Sequence, residues 1–190
     1  MDLIIKRLNE ARKVLEETSS NREILDTVHD ISEAIISSYK NGGRVFTAGN
    51  GGSAADAQHI AAELVSRFYS ERRALAAESL TVNASILTAI ANDYDFEKVF
   101  SRQLEANARK GDIFWAISTS GNSGNIISAL KTARAIGMRT IGFTGKTGGR
   151  AASLCDFIIR IPSEDTPRIQ ENHVIIAHII CEAVEKAFTR

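Results

Sequence analysis

Four short apolar runs govern what this chain can become: "RVFTA" at 44–48, "DIFWAIS" at Asp112–Ser118, "MRTIGFT" at Met138–Thr144 and "DFIIRI" at Asp156–Ile161. None alternates apolar with polar, so each reads as a strand buried on both faces. Helical periodicity fills the intervals, as in Ile24, Leu25, Val28, Ile31, Ile35 and Ile36, or Ile126, Ile127, Leu130, Ala133 and Ile136. Strands alternating with helices are βαβ units, which predict an α/β fold: a three-layer sandwich whose mostly parallel sheet has helices on both sides. "LAAESL" (Leu75–Leu80) is a further, weaker strand candidate.

Punctuation agrees with that pattern. Asn41-Gly42-Gly43 stops the second helix. Ser53 is placed to cap the helix after the Gly49–Gly52 turn, with Asp56 in its first turn, where the helix dipole favours a carboxylate. A last helix runs from about Pro167 to Phe188, proline suiting a first turn. With 190 residues, no repeat and no linker, the chain reads as one domain over 1–190. Residues 1–41 form N-terminal helices, and Leu3, Ile4, Leu8, Ala11 and Leu15 give the first of them an apolar side suited to packing between subunits.

Charge narrows the partners. Lys+Arg and Asp+Glu are 23 each, a balance that argues against a nucleic-acid footprint or an anionic-membrane surface. No apolar run approaches the roughly 20 residues of a membrane span. The amphipathic start, "MDLIIKRLNEARKVLEE", is not a signal peptide. Cys155 and Cys181 have no metal or redox spacing and read as buried thiols in a reducing cytoplasm.

Open parallel sheets bind ligands at the carboxyl ends of their strands, where two turns emerge. "STSGNSGN" places Ser118, Thr119, Ser120 and Ser123 within six residues at a strand-to-helix turn. Four hydroxyls, a curled glycine backbone and a helix N-terminus suit a phosphate monoester held by neutral donors. An N-cap would need only one hydroxyl. Gly145-Lys146-Thr147 imitates the end of a nucleotide-binding loop, but the spacing demands glycine where Thr140 stands. The Gly49-Asn50-Gly51-Gly52 turn likewise has Ala54 at the third glycine of a dinucleotide fingerprint, with no ribose-gripping acid about 20 residues on. Behind that turn, His59 and Glu63 lie four apart on one helix face. Gln170 and His178, eight apart, share a side of the last helix. His29 and His173 have no matched partner and read as structural. Asn92-Asp93 reads either as a helix-boundary cap or as a polar pair for sugar hydroxyls.

These residues resemble the sugar isomerase (SIS) domain and, more closely, the phosphoheptose isomerase family. The resemblance spans nearly the whole chain through "AGNGGSAADAQHIAAEL", "NDYDF", "GDIFWAISTSGNSGNI", "TGKTGG" and "RIQENHVIIAHII". It implies conversion of sedoheptulose 7-phosphate to D-glycero-D-manno-heptose 7-phosphate by a cytoplasmic homotetramer. By that resemblance Ser118, Thr119, Ser120 and Ser123 hold phosphate, while Asn50, Gly51, Gly52, Ser53, Asn92, Asp93 and Gln170 contact the sugar. It further implies one zinc ion per subunit on His59, Glu63, Gln170 and His178, with Glu63 and His178 also matching a proposed catalytic base and acid. Two histidines, a glutamate and an amide oxygen are compatible zinc ligands, and whether Glu63 serves as base, ligand or both stays open. The chain departs from the family at Pro167, where some members carry an acid and where Asp165 lies two residues earlier, and at Ala62, where some carry another glutamate. A non-catalytic branch of tetramers that binds the bacterial replication initiator has a small residue in place of Glu63 and no histidine in place of His178, whereas this chain has both. An isomerase for another phosphosugar is the remaining alternative.

Overall fold

A computed structural model describes residues 1–189. Two N-terminal helices, α1 (Asp2–Ser20) and α2 (Arg22–Lys40), precede β1 (Val45–Ala48) and α3 (Gly52–Val65). Then come β2 (Ala77–Ser79), α4 (Ala84–Asp93), α5 (Ser101–Asn107), β3 (Ile113–Ile117), α6 (Gly124–Ile136), β4 (Arg139–Thr144), β5 (Phe157–Arg160) and α7 (Thr166–Lys186). All five strands are parallel, in the order β2-β1-β3-β4-β5. The weak candidate at Leu75–Leu80 is β2, a three-residue edge strand. Among the described residues no helix is long and apolar enough to cross a membrane.

The apolar runs have the expected consequence at the centre of the sheet, whereas β5, at its edge, is only half-buried and leaves Arg160 exposed. Every residue of β1 and β3 is buried, and successive side chains serve opposite cores. Val45, Ile113, Trp115 and Ile117 join α2, α3 and α7 on one face. Phe46, Ala48, Phe114 and Ala116 join α5 and α6 on the other. The result is the three-layer sandwich expected.

Strand order sets the ligand crevice. From β1 the chain leaves through α3 toward β2, whereas from β3 it leaves through α6 toward β4, so the order reverses between these neighbours. Loops after adjacent strands then diverge to opposite faces and open a crevice at their carboxyl ends. Asn50, after β1, and Asn125, in the first turn of α6, span it with a reciprocal amide pair of 2.9 and 2.8 Å. The two turns singled out from the sequence therefore border one crevice.

Two local expectations need correction. α3 starts at Gly52, with Gly51 rather than Ser53 at its cap and no side chain bonding its first amides. The reason is conformational: Gly51 sits at φ 54° and ψ −122°, accessible to glycine, so the turn completes one residue earlier. Asp56 consequently lies beyond the first turn. Burial raises its carboxyl pKa against the opposing influence of His59, and its Oδ2 has no hydrogen-bond partner.

Candidate functional site

The serine turn is built by its neighbours. As β3 ends, the Ser118 amide still donates to the Phe143 carbonyl of β4 at 2.9 Å, which fixes where the turn begins. The Gly121 amide then donates to the Ser118 carbonyl at 2.9 Å, folding the loop back. That brings Ser118 Oγ within 3.1 Å of Ser123 Oγ, while Ser120 Oγ accepts the Asn122 amide at 3.1 Å. Ser118 is buried, Thr119 and Ser123 are half-buried, and Ser120 is exposed. No side chain caps α6, so its amino end and the hydroxyls together can receive an anion. The Gly145–Thr147 turn packs alongside, its Gly145 amide donating to the Thr119 carbonyl at 2.8 Å. Thr119, Ser120, Lys146, Thr147, Ser163 and Thr166 line a cleft of about 260 Å³ between this turn and the start of α7.

The second half of the site is the seam where α3 meets α7. Side chains four apart on α3 face the same way, so His59 Nε2 reaches Glu63 Oε1 at 3.0 Å. From α7, His178 Nε2 comes within 3.4 Å of His59 Nε2, the two rings meeting edge to face with centroids 5.0 Å apart. His59, Glu63 and His178 thus present one ligand atom each, all within 4.8 Å of one another. A single proton on His59 Nε2 can be directed at Glu63 or at His178 but not both. A cation among the three satisfies all of them, and ligands about 2.1 Å from a tetrahedral centre lie roughly 3.4 Å apart. The donor set fits a zinc-type ion.

Gln170 lies farther along the seam, toward the amino end of α3. Its Nε2 is 3.5 Å from Ser53 Oγ. Gly52 must be small there, because a Cβ would stand 2.7 Å from that same nitrogen. Asn92 and Asp93 end α4, exposed, with Asn92 Nδ2 donating to Asp93 Oδ1 at 2.9 Å. Among the described residues no hydrogen bond ties this pair to the other candidates. Asp165 precedes α7 and lies 3.9 Å from Arg7 on the surface.

The two histidines set aside in the sequence behave as expected. His29 is exposed on α2. His173 is 1% exposed and its Nε2 bonds the Thr144 carbonyl at 3.1 Å, with burial lowering its pKa to about 4. Cys155, half-buried rather than buried, and Cys181, buried, are free thiols whose pKa burial raises to about 12, which disfavours the reactive thiolate. Sequence reading missed Asn125, whose only signal was its place at the end of the serine turn. It also missed Glu185 and Arg72, charged residues with no local signal.

The SIS domain family model matches residues 8–145, and the chain belongs to the SIS domain family. Within that class it is a member of the phosphoheptose isomerases. The phosphoheptose isomerase of Aneurinibacillus thermoaerophilus is 51% identical over 189 residues, covering 100% of this chain and 96% of that one. Among solved structures, the phosphoheptose isomerase of Neisseria gonorrhoeae superposes with a TM-score of 0.92 at 38% identity, over 97% of this chain and 98% of that one. The Francisella tularensis phosphoheptose isomerase gives 0.94 at 34% identity, over 97% of each.

Proposed function

We propose that this chain is an aldose–ketose isomerase that converts sedoheptulose 7-phosphate to D-glycero-D-manno-heptose 7-phosphate through an enediol. The observation that carries the reading is the joining of Glu63, His59 and His178 across the α3–α7 seam at 3.0 and 3.4 Å. Family membership supplies the substrate. The serine turn, at the carboxyl end of the adjacent strand, supplies the phosphate contacts through Ser118, Thr119, Ser120 and Ser123. Asn50, Gly51, Gly52, Ser53 and Gln170 line the sugar's path between the two, with Asn92 and Asp93 as further sugar contacts.

The reaction exchanges a carbonyl between neighbouring carbons. Glu63 takes a proton from C1 of the ketose, and the released C–H electron pair forms the C1–C2 double bond. His178 donates a proton to the carbonyl oxygen on C2, giving the enediol. Return of a proton to C2 and loss of the proton on the C1 oxygen leave the aldose, with no net change in protons. A carboxylate beside an imidazole divides this work in the manner of general acid–base catalysis, which contributes typically 10²–10⁴-fold. His59, Glu63 and His178, with the Gln170 amide oxygen, would also hold a zinc ion whose charge would polarise the sugar oxygens, ligation then competing with proton transfer for Glu63 and His178.

The working form in this reading is a cytoplasmic homotetramer of single SIS domains spanning 1–190, with one zinc per subunit. What supports assembly is the outer side of α1, where Leu3, Ile4, Ile5 and Leu8 are 65, 59, 52 and 66% exposed. A row of that kind on a surface helix calls for a partner. Purified protein incubated with sedoheptulose 7-phosphate and followed by NMR should yield the aldose phosphate. Repeating the assay after chelation and after restoring zinc tests the metal. Absence of turnover in both states would sink the isomerase reading in favour of a non-catalytic scaffold.

A further inference from the structure

The loop after α3 is gripped by a buried carboxylate that the proposed chemistry does not use. Glu185, near the end of α7, accepts three successive backbone amides: Phe68 at 2.7 Å, Tyr69 at 2.7 Å and Ser70 at 2.8 Å. Three consecutive N–H groups pointing inward form an anion-binding nest, and here the anion is part of the same chain. Arg72 lies 3.6 Å from that carboxylate, the two side chains being 1 and 2% exposed. Its other nitrogens donate to the carbonyls of Glu63 at 2.8 Å and Ser66 at 2.6 Å, closing the carboxyl end of α3. Burial alone would raise the Glu185 pKa, yet the three amides and Arg72 bring it below the ordinary carboxylate range.

A buried ion pair is seldom the cheapest way to stabilise a fold, since a well-packed apolar pair often does as well. What this pair adds is placement. It fixes the backbone of Phe68, whose ring lies 5.5 Å from the His178 ring, and His178 in turn packs edge to face on His59. The same guanidinium bonds the carbonyl of Glu63 itself. Glu185, from α7, and Arg72 thereby fix the end of α3 and the loop after it in one arrangement against α7.

We propose that Phe68, pinned by the Glu185–Arg72 clamp, is a positioning residue that sets the imidazole of His178 for proton transfer. This rests on the reading of His178 as the acid. Misplacing a reacting group by about 1 Å costs on the order of 10²-fold in rate, and loss of one packing ring should cost part of that.

The test compares Phe68→Leu, Phe68→Tyr, Glu185→Gln and the double variant Glu185→Gln/Phe68→Leu in the sedoheptulose 7-phosphate assay, with His178→Gln as reference. Phe68→Leu should lower kcat about 10-fold with KM within about twofold, because the serine turn lies elsewhere. Phe68→Tyr retains the ring and should restore turnover. If Glu185 acts through Phe68, the double variant should lose no more than the worse single one. Wild-type kcat in Phe68→Leu, a Phe68→Tyr as impaired as Phe68→Leu, or additive losses would overturn the proposal. Should Glu185→Gln not fold, the two Phe68 variants still decide. A fully active His178→Gln would instead bring down the catalytic reading beneath it.

Discussion

Replacing Gly52 with alanine should separate stability from function in a single methyl group. Gly52 opens α3 with a backbone that an L-residue can adopt, but its new Cβ would lie 2.7 Å from Gln170 Nε2 and 3.2 Å from Cδ. Non-bonded heavy atoms rest at about 3.5–4.0 Å, so the amide must retreat by roughly 1 Å. Gln170 can do so because it is the free end of a flexible side chain, at a cost of about 0.5–1.5 kcal/mol if it leaves its rotamer. Alanine in place of glycine returns about 0.5–1 kcal/mol within a helix. The two nearly cancel, and the melting temperature should stay within about 2–4 °C of wild type. Turnover should not: an amide displaced by about 1 Å from sugar or metal costs on the order of 10²-fold in kcat/KM. Thermal melting beside the NMR isomerase assay reads both quantities. A folded Gly52→Ala protein with kcat/KM within threefold of wild type would refute a role for Gln170, and a collapse in melting temperature would refute the claim that its side chain yields.

Other expectations follow from the same geometry. Ser120→Ala should weaken sugar-phosphate binding by about 1.5–3 kcal/mol, one hydrogen bond to a charged group. Unchanged affinity by calorimetry in Ser118→Ala, Ser120→Ala and Ser123→Ala alike would end the phosphate assignment. His173 is held neutral with a folded pKa of about 4, so the unfolded chain, near 6.5, binds the extra proton as pH falls. Its stabilisation is whole above about pH 6.5 and should fall by about 2 kcal/mol between pH 7 and 5; urea unfolding should show this in wild type, and an equal loss in His173→Phe would discount it. Light scattering should return a mass near four times 20.7 kDa, reduced by Leu8→Glu, whereas a wild-type monomer at micromolar concentration would refute the assembly.

Where the fold depended on local pattern, the sequence was enough. The runs around Phe46, Trp115 and Phe143 had to be strands buried on both faces, and the serine turn had to follow one of them. His59 and Glu63 were legible because helix geometry converts a spacing of four into adjacency. What stayed hidden was long-range or conformational. Nothing near Asn50 announces its pairing with Asn125, 75 residues away, and nothing near Phe68 announces Glu185. Ser53 has the better capping side chain, but Gly51 has the backbone freedom the turn requires, and that conformational demand sets the start of α3. Once the turn closes there, Ser53 falls inside the helix and faces Gln170 instead.

The central claim is that Glu63, gathered with His59 and His178 across the α3–α7 seam, moves the proton between neighbouring sugar carbons. Glu63→Gln tests it most directly, since the amide keeps the shape but neither accepts the proton nor carries the charge. With sedoheptulose 7-phosphate followed by NMR, the wild type should form the aldose phosphate and exchange solvent deuterium into the sugar. In Glu63→Gln both signals should fall by roughly 10² or more, while sugar-phosphate binding and oligomeric mass remain those of the wild type. Wild-type turnover in Glu63→Gln would contradict the account.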